Sequence, residues 1–145
     1  MFGKLLAALM APSPSLPVAD ARLALAALLV RIARADGSYA PEEAFRIDRV
    51  LAHRHALSPF AASDLRLRAE ALEAEAPDTV RFTRALKDAV PHEDRIDLIE
   101  ALWSVALADG QRDAEEDAVI RLAAGLLGVS DAESGMARQR MERKG

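Results

Sequence analysis

Cysteine is missing from the sequence, and its absence excludes disulfide bonds, thiolate catalysis and cysteine-ligated zinc. Aromatic residues are also few, at 4% of 145 residues, and the β-branched residues that favour strands are scarce. Hydrophobic residues nevertheless make up 51% of the chain, and alanine and leucine, which favour helices, dominate that share. The composition therefore predicts an all-α protein, and the length is enough for a single helical bundle with its own core.

A clustered basic surface and a long hydrophobic run are lacking as well. The formal net charge is −4 with both signs interleaved along the chain, which argues against nucleic-acid binding. The longest apolar run, residues 23–32, contains Arg31 and is too short to span a membrane. No convincing cleavage site follows the apolar residues near the N-terminus. We expect a cytoplasmic protein without a transmembrane segment, for which weak association with a membrane surface stays open.

One stretch of the sequence occurs twice. Residues 35–43 match residues 108–116 at five of nine positions, at an offset of 73 residues. Further identical pairs at this offset are Arg22 and Arg95, Leu25 and Leu98, Leu29 and Leu102, Ala33 and Ala106, and Ile47 and Ile120. The pattern indicates an internal duplication of a helix, an Asp-Gly turn and a second helix. We expect the two copies to pack around a pseudo-twofold axis.

The repeat divides the chain into an N-terminal arm and one helical domain. Residues 1–17 form the arm, an amphipathic helix followed by a proline-rich linker. The helix has a stripe of five apolar residues, Phe2, Leu5, Leu6, Leu9 and Met10. Residues 18–145 form the domain, with repeat 1 at about 20–57, a spacer without a copy of itself at 58–90, and repeat 2 at about 91–130. We predict that residues 2–10 pack on the domain; docking on a partner is the alternative.

Capping signals place the helix boundaries and predict about seven to eight helices in total. Asp20 and Ser58 are N-cap residues, and Asp113 to Glu116 and Ser130 to Glu133 read as capping boxes. Gly37 follows a helix at a position that favours the left-handed conformation. We assign Phe45 and Phe60 to the apolar positions of their helices, and Trp103 to the core.

The acidic residues of the two loops are the candidate site. Glu43 and Glu116 lie near the third position of their helices, where capping alone explains a carboxylate. Asp36 and Asp109 lie at helix C-termini, where the helix dipole disfavours a carboxylate. An Asx turn or a bound cation would compensate, and the residues alone leave both alternatives open.

A composite metal site follows if the two loops meet. Its first-choice ligands are Asp36, Glu43, Asp109 and Glu116, and Glu42 and Glu115 are secondary ligands. A hard divalent cation would turn the repulsion among these carboxylates into attraction, and ligands that are all oxygen favour calcium, magnesium or manganese. Helix capping without metal is the alternative.

No catalytic signature accompanies these carboxylates. The sequence shows no nucleophile–base pair, phosphate-binding loop or cofactor fingerprint, and His53, His55 and His92 read as surface or structural residues. We therefore expect a non-enzymatic binding or scaffold domain. A protein–protein interaction module without metal is one alternative, and a divalent-metal-dependent hydrolase that uses the acidic residues is another.

The doubled motif resembles the TerB-like family, which includes the tellurite-resistance TerB proteins and the N-terminal domain of the co-chaperone DjlA. The residues that carry the resemblance are Ala35-Asp36-Gly37 with Glu43, Ala108-Asp109-Gly110 with Glu116, and Leu126 to Ser130. The resemblance covers about residues 19–138 and implies roughly seven helices with internal two-fold symmetry. It also implies an acidic cluster suspected of binding divalent metal, a protein partner, and a role in bacterial stress responses. A His-Pro-Asp motif is missing, so the chain is not a J-domain protein.

Overall fold

The computed structural model describes residues 21–75, 78–108, 110 and 113–144. This part of the chain contains seven α-helices, one short 3-10 helix at His92–Asp94 and no strand. The helices are α1 (Ala21–Arg34), α2 (Pro41–His55), α3 (Pro59–Glu75), α4 (Val80–Ala89), α5 (Arg95–Ala106), α6 (Ala114–Leu126) and α7 (Asp131–Lys144). The all-α prediction is confirmed.

Helix α1 lies at the centre of the bundle. Nine of its 14 residues are buried, and it contacts every helix from α2 to α6. Its sequence consists almost entirely of alanine, leucine and other apolar residues, and a helix that is apolar on all sides is stable only when other helices surround it. Helix α7 reaches the bundle from the other side by packing on α5 and α6. The core therefore forms around α1 and α5.

Glycines with positive φ end the first helix of each repeat. Gly37 has φ +80° and donates its N–H to the Arg34 carbonyl at 3.0 Å. Gly110 has φ +79° and donates in the same way to Leu107 at 3.0 Å. The positive φ and the hydrogen bond to Arg34 confirm the predicted turn at Gly37. Glycine suits this position because the left-handed conformation is strained for residues with a side chain.

Side-chain caps begin the later helices. The Asp113 Oδ1 atom accepts the Glu115 and Glu116 N–H groups at 2.9 and 3.1 Å. Ser130 and Glu133 form a complete capping box, because each side chain accepts the backbone N–H of the other residue at 3.0–3.1 Å. The predicted helix starts after Asp113 and Ser130 are therefore confirmed.

The assignment of two phenylalanines to packed apolar positions is wrong. Phe45 is 63% exposed and Phe60 is 83% exposed. The buried side of α3 is formed by Ala62, Leu65 and Ala69, which the helical repeat places opposite Phe60. Phe45 lies outside the buried stripe of α2 in the same way and contacts the Arg49 guanidinium, 5.9 Å from its ring centre. Trp103, by contrast, is buried as predicted.

Local geometry recurs in the two halves of the chain. Helices α2 and α6 begin at Pro41 and Ala114, 73 residues apart. Helices α3 and α7 share their cap, because the Ser58 and Ser130 hydroxyls each accept the backbone N–H three residues further on at 3.1 Å. Each of these two helices also has an Arg–Glu ion pair four residues apart, which is Arg66–Glu70 in α3 and Arg138–Glu142 in α7. Sequence reasoning assigns no copy to the spacer, yet its first helix shares these features with α7. Packing about a twofold axis stays a prediction.

Several predicted features lie outside the described residues. They are the N-terminal arm at residues 1–17, the N-cap Asp20, and the candidate ligand Asp109. Within the described ranges, no helix is both long and apolar enough to cross a membrane.

Candidate metal centre

Three carboxylates from two separate segments lie together beside α1 and α6. Asp36, Asp113 and Glu116 each offer an oxygen atom, and these atoms all lie within 4.8 Å of one another. Asp36 belongs to the turn after α1, Asp113 is the N-cap of α6, and Glu116 lies in the first turn of α6. The contact of α1 with α6 brings residues together that are far apart in the sequence.

Backbone hydrogen bonds orient the two aspartates. The Asp36 Oδ1 atom accepts the Ser38 N–H at 2.8 Å, which closes an Asx turn around Gly37. The Asp113 Oδ1 atom caps α6 through the two N–H groups described above. A carboxylate has lone pairs on both oxygens, so these bonds fix its direction and still leave it able to bind a cation.

The third member of the cluster is a buried acid. The Glu116 side chain is 0% exposed, although it carries a carboxylate. Burial of a charged carboxylate is unfavourable unless other charges or hydrogen bonds compensate, and two further carboxylates nearby increase this cost. The N-terminus of α6, with its positive dipole end, supplies part of the compensation.

A polar network attaches the turn after α1 to helix α3. The Tyr39 hydroxyl donates to Glu70 at 2.7 Å, and Arg66 pairs with both Glu70 at 2.8 Å and Asp48 at 2.6 Å. Partial burial, with the Glu70 contact as the second cause, raises the pKa of Tyr39 well above its usual value. Tyr39 therefore stays protonated and keeps the turn that carries Asp36 in place.

The structure brings together only part of the predicted ligand set. Asp36 and Glu116 meet as expected, but Glu43 does not belong to the group. Its Oε1 atom instead accepts the Ala40 N–H at 3.1 Å, and the side chain is fully buried at the start of α2. The secondary candidates Glu42 and Glu115 are exposed.

Asp113 is the member of the cluster that sequence reasoning missed. Its position before α6 explains it as an N-cap, so it was not counted as a ligand. A signal was nevertheless present, because an acid at the N-cap and another at the third helical position project from the same end of a helix. The repeat hides this signal, since the position equivalent to Asp113 is Ala40.

The fold and the cluster define a helical-bundle domain with a carboxylate site between a turn and a helix start. The chain belongs to the TerB family: the family described as tellurite resistance protein TerB matches residues 22–139. The match includes both loops and every described helix from α1 into α7. No curated protein and no solved structure matches the chain.

Proposed function

We propose that this TerB-family domain is a non-enzymatic scaffold that binds a hard divalent cation through Asp36, Asp113 and Glu116. The single observation that carries the proposal is the convergence of three carboxylates, one of them fully buried, within 4.8 Å. The cation would join the turn after α1 to the start of α6. In this role the metal stabilises a surface for a protein partner.

Electrostatics favours an ion in this cluster. Two carboxylates about 4 Å apart repel each other by roughly 4 kcal/mol at the effective dielectric constant near a protein surface. Three such groups repel one another pairwise. A divalent cation bound between them attracts all three carboxylates and offsets this repulsion. The TerB domain therefore gains stability from a cation that binds only its folded state.

The donor atoms select the class of ion. All three side chains offer carboxylate oxygens, which suit calcium, magnesium and manganese better than zinc or copper. Calcium binds oxygen at about 2.3–2.6 Å, so two of its ligands can be separated by up to about 5 Å. The spacing of the three oxygens lies within that limit. The three side chains would hold the ion, and water can complete its coordination.

A metal-free interaction module is the second candidate function. It is favoured by the hydrogen bonds that already use Asp36 in an Asx turn and Asp113 in a helix cap. In that case, the acids only shape the backbone. A cytoplasmic location accompanies both candidates, and the lack of cysteine supports it.

Thermal unfolding with added calcium, magnesium, manganese or zinc tests the metal proposal. We expect at least one hard cation to raise the melting temperature with increasing concentration, because the gain in stability grows with the logarithm of the cation concentration relative to Kd and reaches about 2.7 kcal/mol at a hundredfold excess over Kd. The key variant is Asp113→Asn, because asparagine keeps the N-cap but removes a ligand charge. Asp131→Asn removes an acid from the start of α7 and serves as the matched control.

The outcomes distinguish the two candidate functions. Asp113→Asn should weaken the response to metal strongly, whereas Asp131→Asn should respond like the parent. A parent whose melting temperature ignores all four ions contradicts the metal site and leaves the interaction module. Phosphatase and esterase assays with manganese or magnesium should show no turnover; turnover that Asp36→Asn abolishes would contradict the scaffold role.

A further inference from the structure

Helix α3 has apolar side chains on its outer face as well as on its inner face. Phe60 is 83% exposed, the highest value among the exposed large hydrophobic residues of the described chain, and Leu67 is 55% exposed. Ala71 and Ala74 are exposed too, and the spacing of these four residues places them on one side of the helix. A helix that is apolar on two opposite faces is normally covered on both.

Helix α7 shows that the bundle does not require this apolar face. The shared caps align α3 with α7 at an offset of 72 residues. The inner faces agree, because Leu65 and Ala137 are both buried. On the outer faces, however, Phe60 and Leu67 correspond to Ala132 and Gln139. The outer face of α3 is therefore a feature of this helix and not of the repeated fold.

A groove lies beside this face and shares Phe60 with it. It has a volume of about 420 Å³ and lies between α3 and the beginning of α1. Its apolar surface comes from Leu23, Leu57 and Phe60, and its charged margin comes from Arg22, Asp64 and Arg68. A groove that combines apolar side chains with charged ones suits an amphipathic helix.

We propose that residues 2–10 of this chain occupy the groove as an amphipathic helix and cover Phe60 and Leu67. This inference goes beyond the metal-binding scaffold and does not depend on it. The segment has five apolar residues at helical spacing and only one charged residue, Lys4. It is thus complementary to an apolar surface along most of its length.

The connection to the domain places the arm within reach of this groove. The described chain begins at Ala21, and the next two residues, Arg22 and Leu23, line the groove. Residues 11–20 link the two and contain three prolines, so an extended linker reaches roughly 30 Å at about 3.1 Å per residue. Helix α3 has 17 residues and is roughly 25 Å long. The arm can therefore reach any position along the outer face of α3.

A double-variant cycle in the full chain tests the contact. Leu5→Gln and Phe60→Gln should each lower the melting temperature by roughly 5–10 °C, because each removes apolar surface from the same interface. Together they should lower it by clearly less than the sum, since either change alone already releases the arm. Phe45→Gln is the matched control: it alters an exposed phenylalanine of α2, so its effect should be small and additive with Leu5→Gln.

A spin label gives an independent measurement. The chain has no cysteine, so Arg68→Cys places a single nitroxide at the margin of the groove, and Gln139→Cys places one on the equivalent face of α7. The label at position 68 should broaden the amide signals of residues 2–10, and the label at position 139 should not. Additive variants together with unaffected arm signals would overturn the proposal.

Two other occupants of the face are outcomes of the same experiment. If a second copy of the chain occupies the outer face of α3, the spin label on one chain should broaden the amide signals of unlabelled chains in a mixed sample. If the arm contacts a membrane instead, the protein should bind phosphatidylglycerol vesicles, and this binding should require Phe2 and Leu5. In solution, the spin label at position 68 should then leave the amide signals of the arm unchanged. Either result contradicts the intramolecular assignment.

Discussion

The two halves of the domain use the same loop for different purposes. In the first half, the N-cap position of α2 is Ala40, which has no side-chain acceptor, and Glu43 accepts the Ala40 N–H. In the second half, Asp113 occupies the equivalent position and caps α6 with its own side chain. The second half thereby adds a carboxylate beside Glu116. A duplicated motif therefore does not imply two equivalent sites, because one residue at the cap changes the composition of the cluster.

The first helices of the two halves also differ in their surroundings. Ala24, Ala27 and Leu28 of α1 are buried, whereas the equivalent Asp97, Glu100 and Ala101 of α5 are not. Helix α4 packs against α1, and α5 has polar residues on the corresponding side. Helix α1 is therefore more central than α5, and substitutions at matching positions of the predicted repeat should separate the two helices.

The largest expected difference comes from the core. Leu29→Ala in α1 and Leu102→Ala in α5 remove equivalent, fully buried side chains, and each should lower the free energy of unfolding by about 2–5 kcal/mol. The loss should be greater for Leu29, because α1 is enclosed by more helices and the cavity there can relax less. Urea denaturation of both variants measures this difference. A greater loss for Leu102 would contradict the central position of α1.

Exchanging the cap residue should make the halves more alike. Ala40→Asp places an acceptor at an N-cap with extended backbone geometry, φ −73° and ψ 148°, and should add about 0.5–2 kcal/mol to the free energy of unfolding. The reverse change, Asp113→Ala, takes the acceptor from two N–H groups but also removes one repelling carboxylate from the cluster, so without metal its net cost should be smaller. Thermal unfolding without metal measures both. If Ala40→Asp is neutral, Glu43 already satisfies the start of α2.

The smallest expected effect is a pH dependence of stability that arises from His55 in the first half of the domain. Partial burial, followed by the charges of Arg22 and Arg54, lowers the pKa of His55 to about 4. Because an unfolded histidine titrates near 6.5, the unfolded state binds more protons between these values, and stability falls as the pH falls from about 6.5 to 4. His55 is partly exposed, so solvent screening limits the loss to roughly 1 kcal/mol or less.

The equivalent position in the second half is Gly128, so the effect has no counterpart there. Melting temperatures between pH 7 and pH 4.5 should decrease less in His55→Gln than in the parent. Equal slopes for the two proteins would show that His55 is hydrated in the folded state.

Sequence reasoning was most successful where local interactions decide the structure. The predicted N-cap at Ser58, the helix start after Asp113 and the turn at Gly37 are confirmed. These boundaries depend on proline, on caps and on glycine, which act on backbone groups within one helical turn. The family was also accessible from the sequence, since the doubled loop is a continuous pattern.

The composition of the candidate site was less accessible. Asp36 and Glu116 were expected to meet because the two loops repeat, and they do. Asp113 was overlooked because its cap function is a sufficient local explanation. The roles of Phe45 and Phe60 were misjudged because hydrophobicity alone does not tell which side of a helix faces the core.

The sequence by itself determined the all-α class, the helix boundaries and the turns at Gly37 and Gly110, because these features arise from backbone hydrogen bonds and φ angles among neighbouring residues. Only the tertiary structure decided that Asp36 meets Asp113 and Glu116, and that α3 turns Phe60 to the outside. Such proximity depends on how α1, α3 and α6 pack, and helix packing follows from the shapes of all contacting side chains together.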